Sequence, residues 1–238
     1  MSLGSCLAQD LASLTLSNGN DEEGPDVFYD ENRRGTGRVF PTVFTPPSTL
    51  VDELNGLPPE KATGASIGYI HRRYPNTILI FTKGACLNNG RPNPNAGWAF
   101  AYGPGFEEQP AIPVSGQLED AGPFDETNNR AELHAVIAAL RFRDWDGEGF
   151  QKIIIATDLE YVFKGATTWA KYWIIHNWKR KNGHRVKNID MWEMLLGEVE
   201  KWHDRGVPIK FWLIRKAWNT VAHVAAKKAA EQVDAEAQ

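Results

Sequence analysis

Residues 78–81 read Ile-Leu-Ile-Phe, four apolar side chains in a row. Successive side chains of a strand point to opposite faces, so an unbroken run must be covered on both sides. Pro75-Asn76 before it and Gly84 after it hold the run to strand length. A chain containing such a strand is committed to a layered fold with its sheet sandwiched between other elements. The segment KIIIAT, residues 152–157, is of the same kind and predicts a second central strand that feeds directly into a helix near Leu159. AGWAFAYG and QPAIPVSGQL, separated by turn-rich segments, predict two more strands of an antiparallel meander. Thr127-Asn128-Asn129 supply helix-capping chemistry, and Leu133, Val136, Ile137 and Leu140 recur at helical spacing. Trp169 and Trp173, then Trp192, Leu195, Leu196 and Val199, carry helical patterns to a last strand, PIKFWLI. An Ala-rich helix from about Thr220 closes the chain. The order β-β-β-α-β-α-α-α-β-α has no internal repeat and predicts one α/β domain, a five-stranded mixed sheet flanked by helices.

Upstream the pattern changes. Residues 1–25 are rich in Ser, Asn, Gly and acidic residues and predict a disordered tail. Residues 27–59 carry prolines and scattered aromatics (Phe28, Tyr29, Phe40, Phe44) with no sustained period, which predicts an irregular arm along the domain surface. The expected division is therefore tail and arm in 1–75 and folded domain in 76–238. The chain is 42% apolar, ordinary for a globular protein, and no run approaches the roughly 18 apolar residues of a membrane span. The N-terminus lacks the basic-then-apolar pattern of a secretion signal. Cys6 and Cys86 are the only cysteines, which excludes an ordinary structural zinc site and favours reduced thiols. An intracellular location, nucleus or cytoplasm, is expected. The net charge of −4 argues against indiscriminate coating of nucleic acid, yet Lys164–Lys187 holds seven Lys or Arg residues and no Asp or Glu.

Four local patterns carry the chemistry: FTKGACLNNG at the end of the first strand, TNNRAELHAVIAAL opening the first helix, IIIATDLEYV ending the next central strand and WNTVAHVAAKKAA at the last helix. In this order and spacing they resemble cellular type 1 ribonuclease H, fungal members most of all, over roughly residues 76–232. The resemblance implies a ribonuclease H-like sheet of three antiparallel strands followed by parallel ones. It also implies an endoribonuclease that cuts the RNA strand of RNA/DNA hybrids, using Mg²⁺ or Mn²⁺. In-line hydrolysis of a phosphodiester uses two divalent ions about 3.5–4 Å apart, one activating water and one stabilising the leaving oxygen. Such ions take hard oxygen ligands, so carboxylates from several elements have to converge. The family places an Asp on the first strand, a Glu in the first helix, an Asp ending the next central strand and an Asp on the last helix. Glu132 and Asp158 match the second and third positions, while Lys83 stands at the first and His223 at the fourth. Lys83 replaces the ligand shared by both ions and is expected to bridge Glu132 and Asp158 as an internal counter-ion. His223 is the milder change, since imidazole can bind a metal, and Glu132, Asp158 and His223 form a three-ligand candidate set.

By the same resemblance, Asn88, Asn89, Asn128 and Asn129 line the minor groove of a hybrid. Their amides suit base edges and the 2′-hydroxyls that distinguish RNA from DNA. KYWIIHNWKRKNGHRVKN resembles the family's basic protrusion, in which Lys179, Arg180, Lys181, Arg185 and Lys187 would contact phosphates. Trp178 is assigned to binding, and Trp173 to packing within the protrusion. Leu159 stands where a Ser is usual, and Glu160 where some relatives carry a Gln. Three readings follow. The first is a hybrid-binding protein of this family, weak or inactive as a nuclease. The second is an active metal-dependent endoribonuclease, and the third a non-catalytic interaction scaffold. A monomer is expected, and the sequence names no protein partner.

Overall fold

The computed structural model describes residues 33–103, 111–118 and 127–232. The tail predicted for 1–25, with Phe28 and Tyr29, lies outside the described residues. The sheet has six strands rather than the expected five, in the order β1-β6-β5-β2-β3-β4. β2 (Thr77–Leu87) and β5 (Lys152–Thr157) lie at its centre, paired in parallel, with β6 (Ile209–Leu213) parallel beyond β5. β3 (Asn95–Tyr102) and β4 (Ile112–Gln117) extend the other side as the expected antiparallel meander. The sixth strand is β1 (Thr42–Val43), which pairs in parallel with β6.

That strand belongs to the segment predicted as an irregular arm, and the arm is not irregular. It continues into α1 (Ser48–Gly56) and α2 (Pro59–Arg73), and all of it falls in one compact unit, Asn32–Gln238, with the rest of the fold. Prolines hid both helices. Pro47 and Pro58 are their N-caps and Pro59 is the first residue of α2, positions where a missing N–H costs nothing. Leu50, Leu54, Ala62, Ile67 and Ile70 are buried against Leu79, Phe81, Ile154, Ala156 and Trp212 of the sheet. The alternate residues Ile78, Ile80, Ile153 and Ile155 face the opposite core. That core is built with α3 (Asn128–Arg141), α4 (Glu160–Lys164), α5 (Ala170–Ile175) and α6 (Ile189–Asp204). Each fully buried Leu or Ile contributes about 1.5–3 kcal/mol, so covering both faces is the main drive of the fold.

Two glycines let helices approach the sheet. A Cβ on Gly84 would collide with the backbone of Ala131 and Glu132, so α3 can lie directly on β2 only because residue 84 has no side chain. A Cβ on Gly97 would meet Ala226 and the backbone of Ala229 and Ala230 in α7 (Thr220–Glu231). The small buried face of that helix (Ala222, Ala226, Ala229, Ala230) allows the same closeness from the other side. The helical stretch after β5 is interrupted by a π turn at Gly165–Trp169 between α4 and α5.

Candidate functional site

The pairing of β2 with β5 ends at Thr82↔Thr157, although β2 itself runs on to Leu87. Lys83 is thus inside the strand rather than at its end, at the point where β5 leaves the sheet through Asp158. Clefts in parallel sheets open where strands part in this way. The Lys83 ammonium lies 2.9 Å from Glu132 Oε1 and 2.9 Å from Asp158 Oδ1, and donates to Asp158 Oδ2 at 3.1 Å. Glu132 is 0% exposed and Lys83 9% exposed, so this cluster is withdrawn from water. Asn219 is buried beside it. Its amide donates to Asp158 Oδ1 at 3.1 Å and to the Thr82 carbonyl at 3.0 Å, tying the start of α7 to both central strands. Sequence reasoning missed Asn219. It adjoins the predicted helix start at Thr220, so it reads as ordinary capping.

One ammonium faces two carboxylates, leaving a net −1 with His223 neutral. Burial pushes Glu132 up to about 7, against the opposing pull of Lys83, while the charge of Asp158 adds to the rise. Burial alone would lower Lys83, but attraction to Glu132 and its hydrogen bonds to both carboxylates outweigh it, and its pKa is raised. The two directions differ in cause: attraction to the carboxylates keeps the ammonium charged, while burial favours the protonated form of Glu132. His223 is half-buried, with Nδ1 enclosed and without a hydrogen-bond partner. Its pKa is lowered by burial and then by Lys83 and Lys216.

These residues do not fit a divalent ion. An ion bridging Glu132 and Asp158 would need the position held by the Lys83 ammonium, which lies 2.9 Å from Glu132 Oε1 and from Asp158 Oδ1. Among the described residues, no three His, Cys, Asp or Glu side chains are grouped as a metal set, so the predicted trio Glu132, Asp158 and His223 is not assembled.

A second feature draws on two of the same elements, β2 and α3. A cleft of about 440 Å³ is lined by Cys86, Asn89, Thr127, Asn128, Asn129, Lys187 and Asn188. Three of the four predicted asparagines and one predicted lysine therefore share one surface. Thr127 caps α3 through its hydroxyl, which accepts from the Arg130 N–H, and Asn89 Oδ1 accepts from the Asn128 N–H at 3.3 Å. Asn88 does not line this cleft; it has φ +54°, and its amide donates to the Asn93 carbonyl. The two walls are held in register from below, where Arg130 and Asp190 form a bidentate pair at 3.0 and 2.8 Å. Thr127, expected from sequence only as a helix cap, and Asn188, at the starts of α3 and α6, also line the cleft.

The basic stretch forms a tight hairpin. Lys179 and Arg185 bridge, Arg180 N–H donates to the His184 carbonyl, and Gly183 turns at φ +80°. Lys179, Arg180, Lys181, Arg185 and Lys187 are all exposed. None of the five has an ion-pair partner among the described residues. Trp173 is buried as expected, and Trp178 is half-buried at the hairpin base, its ring 6.5 Å from Trp173. Glu160 is exposed and paired with Lys164 at 2.6 Å, while Leu159 packs on the core.

A mixed sheet in which three antiparallel strands are followed by parallel ones, with a buried acidic pair, an amide-lined cleft and a basic hairpin, defines the ribonuclease H-like class. The RNase H family model matches residues 75–211. Ribonuclease H of Hahella chejuensis is 40% identical over 131 residues, covering 54% of this chain and 76% of that protein. Ribonuclease H of Treponema pallidum is 39% identical over 123 residues, covering 50% and 70%. Among solved structures, a foamy viral protease-reverse transcriptase in complex with RNA/DNA hybrid aligns with a TM-score of 0.50 at 18% identity. That alignment covers 66% of this chain and 20% of the viral one, and it speaks for the fold alone. The chain belongs to the RNase H family.

Proposed function

We propose that this protein binds RNA/DNA hybrid, or a closely related duplex, and that its acidic site is not a working two-metal nuclease centre. The single observation behind the second half is the Lys83 ammonium, 2.9 Å from both Glu132 and Asp158. Where the family resemblance calls for carboxylates at residues 83 and 223, this chain has a lysine and a neutral imidazole. Four carboxylates would offer −4 to two divalent ions; the residues present offer −1. The binding half is supported by the amide-lined cleft and by five exposed cations of the hairpin, of which Lys187 lines that cleft. Asn89, Asn128 and Asn129 are assigned to base edges and 2′-hydroxyls, with Asn88 at the rim of the same loop. Lys179, Arg180, Lys181, Arg185 and Lys187 are assigned to phosphates, and Trp178 to the hairpin base beside them. Both α1 and α2 belong to the binding domain, which starts upstream of residue 76.

The test pairs binding with cleavage. Purified protein is expected to shift a short RNA/DNA hybrid on a native gel and to leave it uncut in Mg²⁺ or Mn²⁺. Metal-dependent cutting that disappears in Glu132→Gln would overturn the proposal. Lys83→Asp combined with His223→Asp is expected to bind Mn²⁺ by calorimetry and to gain cleavage.

A further inference from the structure

Glu200 lies in α6, is 2% exposed, and has its nearest cationic nitrogen, Arg38 Nε, 3.8 Å away. A carboxylate buried this deeply needs its charge met. The groups that meet it come from the N-terminal arm. The backbone N–H groups of Thr36, Gly37 and Arg38 donate to Oε1 at 2.8, 2.7 and 3.2 Å, and the Thr36 hydroxyl donates at 3.0 Å. Successive N–H groups converging on one anion form a nest, and Gly37 makes the turn with φ +77°.

The contact extends along one stripe of α6. Gly35 N–H donates to the Glu193 carbonyl at 2.8 Å, and Arg34 pairs with the Glu193 carboxylate at 2.6 Å. Gly35 and Gly197 touch backbone to backbone, leaving no space for a Cβ on either. Arg38 donates through one guanidinium nitrogen, Nη2, to both oxygens of Asp204, at 2.5 and 2.6 Å. Residues 193, 197, 200 and 204 follow each other at helical spacing, so the arm is fastened to α6 at four successive points.

The same arm touches the base of the basic hairpin. Gly37 abuts the Ile174 side chain, and the Lys171 ammonium sits 5.3 Å above the Phe40 ring. Ile174 and Lys171 are in α5, whose end leads straight into the hairpin: Trp178 N–H donates to the Trp173 carbonyl, and Asn177 N–H to that of Ile174. Among the described residues the hairpin tip is held by its own turn. Its returning strand is fixed by buried Val186 and by the Tyr161 hydroxyl, which donates to the Lys187 carbonyl, and its entering strand leaves α5 where the arm packs. We infer that residues 33–40 form a clasp that positions the basic hairpin for duplex contact, with Glu200 as its anchor. Glu200 touches no duplex on this reading; it is a positioning residue.

The inference rests on the proposed duplex binding, and the experiment separates the two. Glu200→Gln removes the anchoring charge, and Gly37→Val is blocked by its positive φ and by Ile174 while leaving α6 intact. In the full chain, each variant is expected to speed amide hydrogen exchange over 33–40 and over 176–187 together. Each should also weaken hybrid affinity by about tenfold, the scale of one lost charge-assisted hydrogen bond. The slope of log affinity against log salt should fall by about 1, which general destabilisation would not produce. Faster exchange over 33–40 with 176–187, affinity and salt slope unchanged would overturn the clasp. So would unchanged exchange over 33–40 in both variants. If Glu200→Gln fails to fold, Gly37→Val alone decides. If the unmodified protein does not bind hybrid, the duplex reading fails, and coupled exchange between the two segments still decides the clasp.

Discussion

Replacing Lys83 with Met removes the ammonium and keeps a side chain of similar length in the β2–β5 cleft. Glu132 and Asp158 are then left as two carboxylates without a cation, in a site where Glu132 is wholly buried. Breaking a buried ion pair from one side costs about 3–5 kcal/mol, since the remaining charge is neither hydrated nor paired. The cost depends on pH in a way the geometry fixes. Glu132 is raised from 4.5 to about 7 by burial with Lys83 in place. A carboxyl raised on folding holds a proton that the unfolded chain has released, so its contribution is full below about 4.5 and lost as pH rises through about 7. That rise corresponds to about 3 kcal/mol. Lys83, also raised, contributes fully below its ordinary 10.5 and is lost only above its folded value, so it remains charged across this window. Without it, only the Gly84 backbone N–H still opposes the rise of Glu132, whose pKa moves higher still. The stability difference between the two proteins should therefore be small, about 1 kcal/mol, near pH 5, and grow to about 3–5 kcal/mol near pH 9. Urea unfolding at several pH values measures it, and the other carboxylates cancel in the difference. An equal loss at both ends of the range would refute the pairing of Lys83 with Glu132.

Two other outcomes follow from the packing. Asn219→Ala should cost about 1–3 kcal/mol in thermal unfolding, because the Thr82 carbonyl and Asp158 each lose a buried donor. Removing residues 1–74 should uncover Leu79, Phe81, Ile154, Ala156 and Trp212, seen as increased binding of an apolar dye and as association on gel filtration. A monomeric, dye-silent fragment would show that α1 and α2 are dispensable.

What was legible in the sequence was what period and motif spacing carry. The apolar runs at 78–81 and 153–155 are central strands because both faces are covered, as an unbroken run requires. The helix starting at Thr127 was legible from its cap, and Lys83, Glu132 and Asp158 from four motifs in order. The two N-terminal helices were not. α2 carries Gly64 and Gly68 and begins at Pro59 after its N-cap Pro58, residues that read as turn or loop, whereas α3 announces itself by a Thr127 cap. β1 is two residues long, too short for any alternation to show. Asn219 and Glu200 were hidden for another reason. Their roles lie in contacts with residues 137 and 164 positions away, and only the folded chain makes those partners visible.

The charge on the acidic site also governs how a duplex can approach it. Two unit charges 4 Å apart repel by about 4 kcal/mol near a protein surface, so a bare carboxylate cluster would push a phosphate away unless divalent ions intervened. Here the intervening cation is part of the chain. Lys83 brings the buried cluster from −2 to −1, and burial makes Glu132 the more readily protonated of the two carboxylates. The neighbouring His223 is kept neutral by burial and by nearby cations, Lys83 and Lys216 first among them. A duplex bound in the amide-lined cleft would thus face an acidic cluster carrying −1 rather than −2, with no metal present. On the proposed function, hybrid affinity should be the same in chelator as in Mg²⁺ once ionic strength is matched, measured by fluorescence anisotropy. Lys83→Met should then weaken binding in chelator and recover part of it in Mg²⁺. A wild-type affinity that rises steeply with Mg²⁺ at constant ionic strength would refute the idea that the lysine stands in for the metal's charge.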